Sequence, residues 1–232
     1  MNRQTARIAL GALCVVLGIW VGARIQHSRG PAASHLGVKV SAGVASAPNP
    51  ADMAPPMAEG AQPAVKIPDR LPQFSLADSA GKVTPIGSFA DKSLIINFWA
   101  TWCAPCRSEI PLLEALHAEW AGRGMSVVGV AVDQPDKVRE FAARFKIGYP
   151  LLIGEQDALD AAAALGVATP VFPFTVFTDR RGEVVALYIG ELHRPQAELI
   201  LAQVHSLNQG QTELPAARAA ITAALSALHP NT

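Results

Sequence analysis

Between Leu71 and Leu207 the chain alternates two hydrophobic patterns, short continuous apolar runs and longer stretches with apolar residues three or four apart. Phe74-Ser75-Leu76 and Lys82-Val83-Thr84 flank the turn-forming Asp78-Ser79-Ala80-Gly81 and predict a hairpin. Leu94 to Trp99 is nearly all apolar, as a strand buried on both faces requires. A helix follows, with Ile110, Leu113, Leu116 and Trp120 as its inner stripe and Gly122 and Gly124 as its end. Val127–Val132 predicts the next buried strand. Pro135 then opens a helix whose Val138, Phe141, Ala142 and Phe145 fall on one face. Leu151–Ile153, a short Ala-rich helix over Asp157–Leu165, and Phe174–Phe177 continue the alternation. Asp179-Arg180-Arg181-Gly182 turns the chain back into Glu183–Ile189, and a last helix covers Pro195–Leu207. Strands alternating with helices imply an α/β sandwich with a largely parallel central sheet and an antiparallel closing hairpin.

Outside that region the pattern changes. From Ile8 to Ala23 the residues are uncharged and mostly apolar, with Arg3 and Arg7 before them and Arg24 after. As a helix the run would measure about 24 Å, short of a hydrocarbon core of roughly 30 Å unless the flanking arginines snorkel. An anchor and a cleaved signal peptide, with Val21-Gly22-Ala23 as its cleavage site, both fit. The length of the run favours an uncleaved anchor, and either one sends the rest of the chain out of the cytoplasm. Cys14 inside the run reads as a lipid-facing or helix-packing thiol. Residues 30–70 are rich in Pro, Ala, Ser and Gly with no apolar face, an extended linker. Past Asn208 a polar stretch gives way to an Ala-rich one, Ala216–Leu228, which predicts a helix without indicating its task. The expected organisation is therefore a membrane segment at 1–29, a linker at 30–70, one domain at 71–208 and a tail at 209–232.

Nineteen Lys and Arg balance nineteen Asp and Glu, so no global positive field points to nucleic acid, and no nucleic-acid-binding motif is present. Half the residues are hydrophobic, enough for a substantial core. The candidate chemistry lies in Phe98-Trp-Ala-Thr-Trp-Cys-Ala-Pro-Cys-Arg107, where Cys103 and Cys106 stand at C-x-x-C spacing. Zinc would need two further ligands, and Cys14 and the six unpaired histidines do not supply them, so no metal is expected. As a brace, a disulfide closing so short a loop gains little. Reversible exchange suits the position. Cys103 falls at the N-terminal end of the predicted helix, where unpaired N–H groups and the helix dipole favour a thiolate. Cys106 lies one turn in, placed to attack a mixed disulfide formed at Cys103. Pro105 occupies the first turn, where a missing N–H costs nothing.

Trp102-Cys103-Ala104-Pro105-Cys106 followed by Pro111 resembles the thioredoxin superfamily. Leu71-Pro-Gln-Phe-Ser-Leu76, Asp78 and Gly81-Lys82, Asn97-Phe-Trp-Ala100 before Trp102-Cys103, and Glu109-Ile-Pro111 are similar to the membrane-anchored TlpA/ResA/CcmG-type disulfide reductases. The resemblance covers about Leu71 to Leu207. It implies a thioredoxin-like fold with a central mixed sheet, flanking helices, an N-terminal hairpin and a central αβ insert. It also implies thiol–disulfide exchange in the periplasm or at the extracytoplasmic membrane face, without a cofactor beyond the Cys103–Cys106 disulfide. The implied partners are cysteine-containing clients, a transmembrane reductase that donates electrons, and the membrane through residues 8–23. Clients of the cytochrome c maturation or oxidase assembly type would fit.

Individual residues carry over. The family's cis-proline lies six residues before an Asp of the strand-end turn, which counted back from Asp179 selects Pro173 over Pro170. Phe172 beside it is bulkier than usual at that position and belongs either to client choice or to core packing. Trp102, Ala104, Pro105, Phe172 and Pro173 form the expected client-binding set. Glu109 matches an acid that shuttles the proton of the buried cysteine, and its i, i+3 spacing from Cys106 puts both on one helix face; otherwise it is an ordinary exposed glutamate. Asn97 stands where soluble thioredoxins carry a buried acid. Trp99 and Trp102 either shield the pair or fill the core edge. Two other classes compete with a reductase. A peroxiredoxin-like peroxidase lacks its P-x-x-x-T-x-x-C signature around Cys103, and a redox-inactive binding module has no use for an intact C-x-x-C.

Overall fold

The structure is a computed structural model and describes residues 66–169 and 171–228. The predicted membrane segment and linker residues 30–65 lie outside the described residues. Among the described residues no helix is long and apolar enough to cross a membrane.

Seven strands form one sheet in the order β2-β1-β5-β4-β3-β6-β7. The strands are β1 (Ser75–Asp78), β2 (Val83–Pro85), β3 (Ser93–Trp99), β4 (Met125–Val132), β5 (Leu151–Gly154), β6 (Phe174–Thr178) and β7 (Val184–Ile189). The helices are α1 (Ala104–Trp120), α2 (Pro135–Phe145), α3 (Gln156–Ala164), α4 (Arg194–Asn208) and α5 (Leu214–Leu228). The sheet is less parallel than the alternation of strands and helices implies. Parallel pairing joins only β3 to β4 and β4 to β5, whereas β1 enters antiparallel to β5 and β6 antiparallel to β3. The reason for the second reversal lies after α3. The strand β6 begins beside the end of β3 that precedes the cysteines, with Phe174 opposite Phe98.

Every residue of β3 and β4 is buried, and their alternate side chains serve two cores. Ile95 and Trp99 join Leu113 and Leu116 of α1, Val138 of α2, and Ile200, Leu201 and Val204 of α4. Leu94, Ile96 and Phe98 join Leu76 of the hairpin and Ala158, Ala161 and Ala162 of α3. Phe98 stacks on Phe174 with ring centroids 4.4 Å apart, fastening β3 to β6 beside the cysteine loop. Gly129 of β4 is required by packing: a Cβ there would lie 2.6 Å from Leu151 Cδ2 and 3.1 Å from Trp99 Nε1.

Two segments depart from expectation. The predicted stripe of α2 is only partly internal, since Val138 is buried, Phe141 and Ala142 half-buried, and Phe145 exposed, its ring stacked on Phe141. The tail helix α5 packs on the domain through Ala217 and Ile221. Its Arg218 donates to Val184 O at 2.6 Å and Pro68 O at 3.2 Å and pairs with Asp69 at 2.9 Å. Residues 68–70, read as the end of the linker, are thus tied to the sheet. Leu71 N–H and Val184 N–H complete the seam by donating to Gly182 O and Asp69 O.

Candidate functional site

The strand β3 ends at Trp99, and a tight turn over Ala100–Cys103 leads into α1, with Cys103 N–H donating to Ala100 O at 3.2 Å. Cys103 is the N-cap of α1, in extended conformation, and its Sγ accepts the Cys106 N–H at 3.3 Å. A sulfur thus takes the place of the usual capping oxygen, facing the positive end of the helix dipole. Cys103 and Cys106 are joined as a disulfide with Cα atoms 5.3 Å apart. Cys103 is 5% exposed and Cys106 wholly buried, so Cys103 is the sulfur nearer to solvent. Ala104 and Pro105 are exposed in the first turn.

Beneath the pair, Glu109 is 1% exposed, which sets aside the expectation of an ordinary surface glutamate. Its Oε1 accepts from Asn97 Nδ2 and its Oε2 from Leu192 N–H, each at 2.7 Å. Burial pushes its carboxyl up to about 7 from an ordinary 4.5, the two hydrogen bonds oppose that rise, and nearby Glu191 adds to it. Asn97 Nδ2 also donates to Thr175 Oγ1 at 3.0 Å, across the β3–β6 pairing where Asn97 and Thr175 are partners. The residue in place of a buried acid is therefore the donor that holds Glu109. The same buried negative group contributes to the raised pKa of the Tyr188 phenol, after burial itself.

The Phe172–Pro173 peptide bond is cis. Pro173 is buried at the start of β6, and its carbonyl accepts the Gly190 N–H at 2.8 Å. Phe172 is half-buried against both cores and meets the Trp102 ring edge-on, centroids 6.2 Å apart. Trp102 is 67% exposed, and Val171 beside Phe172 is also exposed. Trp99, by contrast, is core, tilted against Phe141 at 5.3 Å. Exposed Ala104, Pro105 and Trp102 and half-buried Phe172 thus surround the helix end that carries Cys103.

Two residues that the sequence did not single out complete the site. The β7–α4 loop supplies Leu192 N–H to Glu109, a backbone contribution that no side-chain pattern announces. Asp133, at the end of β4, accepts from Thr101 of the cysteine turn through both its N–H and its hydroxyl. The signal for Asp133 was available in Asp133-Gln134-Pro135, an acid just ahead of a helix-opening proline, but it reads equally as a helix start. Among the described residues no cluster of His, Cys, Asp and Glu could hold a metal ion.

Comparison with known proteins agrees with this chemistry. The thiol-disulfide oxidoreductase ResA of Geobacillus kaustophilus is 30% identical over 142 residues, covering 61% of this chain and 79% of that protein. The thioredoxin-like protein YneN of Bacillus subtilis is 32% identical over 133 residues, 56% of this chain and 75% of that protein. Among solved structures, a secreted thiol-disulfide isomerase from Corynebacterium glutamicum superposes with a TM-score of 0.53 at 26% identity, covering 60% of this chain and 85% of that one. Residues 67–189 match the AhpC/TSA family, and that span, more than half the chain, includes the cysteine turn, Glu109 and Pro173. The chain belongs to the AhpC/TSA family, with a thioredoxin-like fold and the chemistry of a thiol–disulfide oxidoreductase.

Proposed function

We propose that the protein reduces disulfides of client proteins outside the cytoplasm, with Cys103 as nucleophile, Cys106 as resolving thiol and Glu109 as the group that takes the proton of Cys106. The observation that carries this reading is the succession of functions down the first turns of α1: a cysteine capping the helix, a second cysteine one turn below it, and a buried carboxylate one turn below that.

In the reduced protein the Cys103 thiolate attacks one sulfur of a client disulfide. The other client sulfur departs as a thiolate and takes a proton from solvent. The Cys106 thiol then passes its proton to the Glu109 carboxylate and attacks Cys103 Sγ, releasing the first client sulfur as a thiolate. Two electrons have moved to the client, and Cys103 and Cys106 are left as the disulfide. A membrane reductase dithiol would restore the reduced pair. Charge at Cys106 supports the reducing direction, although the helix end at Cys103 favours a thiolate and works against it. Stabilising a thiolate makes a pair oxidising, and an ionised Glu109 beneath the pair opposes a thiolate at Cys106. Trp102, Ala104, Pro105, Phe172 and Pro173 would form the surface that receives the client, and the N-terminal apolar run 8–23 would hold the domain at the extracytoplasmic face of the membrane. Clients of the cytochrome c maturation or oxidase assembly type fit a reductant so placed.

The test is trapping. Cys106→Ser leaves the nucleophile and removes the resolving thiol, so it accumulates mixed disulfides with clients that dithiothreitol cleaves, whereas Cys103→Ser accumulates none. Mass spectrometry of the trapped species names the clients. A trap formed by Cys103→Ser would reverse the roles, and failure of both variants to trap, with no reduction of insulin by the wild type, would overturn the reductase reading.

A further inference from the structure

Trp102 sits in a turn whose anchoring lies outside the disulfide chemistry. The turn Ala100–Cys103 is closed by one backbone hydrogen bond, which leaves Thr101 and Trp102 as its two central residues. Thr101 does not depend on the turn alone. Its N–H donates to Asp133 Oδ2 at 3.3 Å, and its hydroxyl donates to the same oxygen. The other oxygen, Oδ1, accepts Gln134 N–H at 2.8 Å, so the carboxylate is fixed by its own strand end. Asp133 is 9% exposed and follows β4, whose Ala131 is the register partner of Trp99 on β3. The acid therefore reaches across from the neighbouring strand to the first of the turn's two central residues.

We propose that Asp133 is a positioning residue for client docking, acting through Thr101 on Trp102. A carboxylate that holds both donors of Thr101 fixes its backbone and its χ1 together, and the next residue inherits that orientation. The next residue is the exposed indole, which meets Phe172 edge-on. An exposed tryptophan free to swing would lose rotamer freedom when a client binds, and one fixed beforehand has less to lose. The latch thus lowers the cost of docking without touching a reacting sulfur. This proposal rests on the reductase reading only in taking a protein disulfide as the substrate.

Asp133→Ala is a poor test because it strands the part-buried Thr101 and Gln134 N–H groups together and threatens the fold. Thr101→Val keeps the shape and removes the hydroxyl, while Thr101→Ser keeps the hydroxyl. With insulin as substrate and dithiothreitol as electron source, Thr101→Val is expected to raise KM about five- to tenfold, part of the value of a hydrogen bond to a charged acceptor, with kcat changed less than about twofold. Thr101→Ser is expected to keep the wild-type KM. The indole N–H resonance of Trp102, assigned through Trp102→Phe, should shift in Thr101→Val and stay in place in Thr101→Ser. An unchanged KM in Thr101→Val, even with a lowered melting temperature, overturns the proposal, as does a loss confined to kcat. The resonance needs no client, so a wild type inactive on insulin would count against the reductase reading while an unmoved Trp102 signal in Thr101→Val would count against the latch.

Discussion

Replacing Glu109 by glutamine should change how stability depends on pH more than stability itself. Burial lifts the carboxyl to about 7 in the folded protein from an ordinary 4.5. The folded chain therefore holds a proton that the unfolded chain has already released between those values. The stabilisation is fully present below about pH 4.5 and is lost as pH rises through about 7. At about 1.4 kcal/mol per pH unit, the loss is at most about 3 kcal/mol. Glutamine cannot ionise, so its curve should lack this fall. Its cost at low pH comes from matching donors to acceptors. Flipping the Asn97 amide lets its oxygen accept from both the glutamine NH2 and Thr175 Oγ1, while the glutamine oxygen keeps the Leu192 N–H. The buried Asn97 NH2 then loses both of its partners, so about 1–3 kcal/mol is forfeited. Urea unfolding of the oxidised proteins from pH 4.5 to 8.5 measures the difference, because all other titrating groups cancel between variant and wild type. The variant should be about 1–3 kcal/mol weaker at pH 5 and should gain about 2–3 kcal/mol on the wild type between pH 5 and pH 8.5. Parallel curves across that range would show that Glu109 is not held protonated by burial and would remove the basis for its proton role.

In the reduced protein Cys103 should be the thiol that iodoacetamide modifies near neutral pH, with Cys106 protected by its burial; peptide mapping that found Cys106 labelled first would reverse the two assignments. Gly129→Ala should destabilise the fold by about 1–3 kcal/mol, because the added methyl meets Leu151, Tyr149 and Trp99 at once. A chemical-denaturation midpoint equal to wild type would mean that this part of the core has room the structure does not show.

The parts of the site legible in the sequence were those fixed by short-range spacing. Cys103 and Cys106 share a helix end, Glu109 lies one turn further along the same face, and the count back from Asp179 reached the proline whose peptide bond is cis. What stayed hidden were contacts made by neighbours distant in sequence. Leu192 N–H reaches Glu109 across 83 residues, and Asp133 meets Thr101 across 32, and neither follows from a periodicity. The same limit applied to the fold. Each strand was legible as an apolar run, but the direction of β1 against β5 and of β6 against β3 depends on where the intervening chain returns. In α2 the apolar spacing was real, yet spacing marks a face and not its cover, and Phe145 finds its partner in Phe141 near the surface. Arg218 gave no signal at all in an alanine-rich tail, because its partners are two backbone carbonyls and an aspartate 149 residues upstream.

That arginine fixes where the described chain joins the sheet. Val184, which it grips, pairs with Thr178, and the Thr178 hydroxyl accepts Leu94 N–H at the start of β3. The cysteines follow the other end of the same strand, about 23 Å away for seven residues at roughly 3.3 Å each. Asp69 and Pro68 are moored at the near pole, and the reactive disulfide stands at the far one. The described chain thus enters the domain at one pole of the sheet and exposes its redox pair at the opposite one.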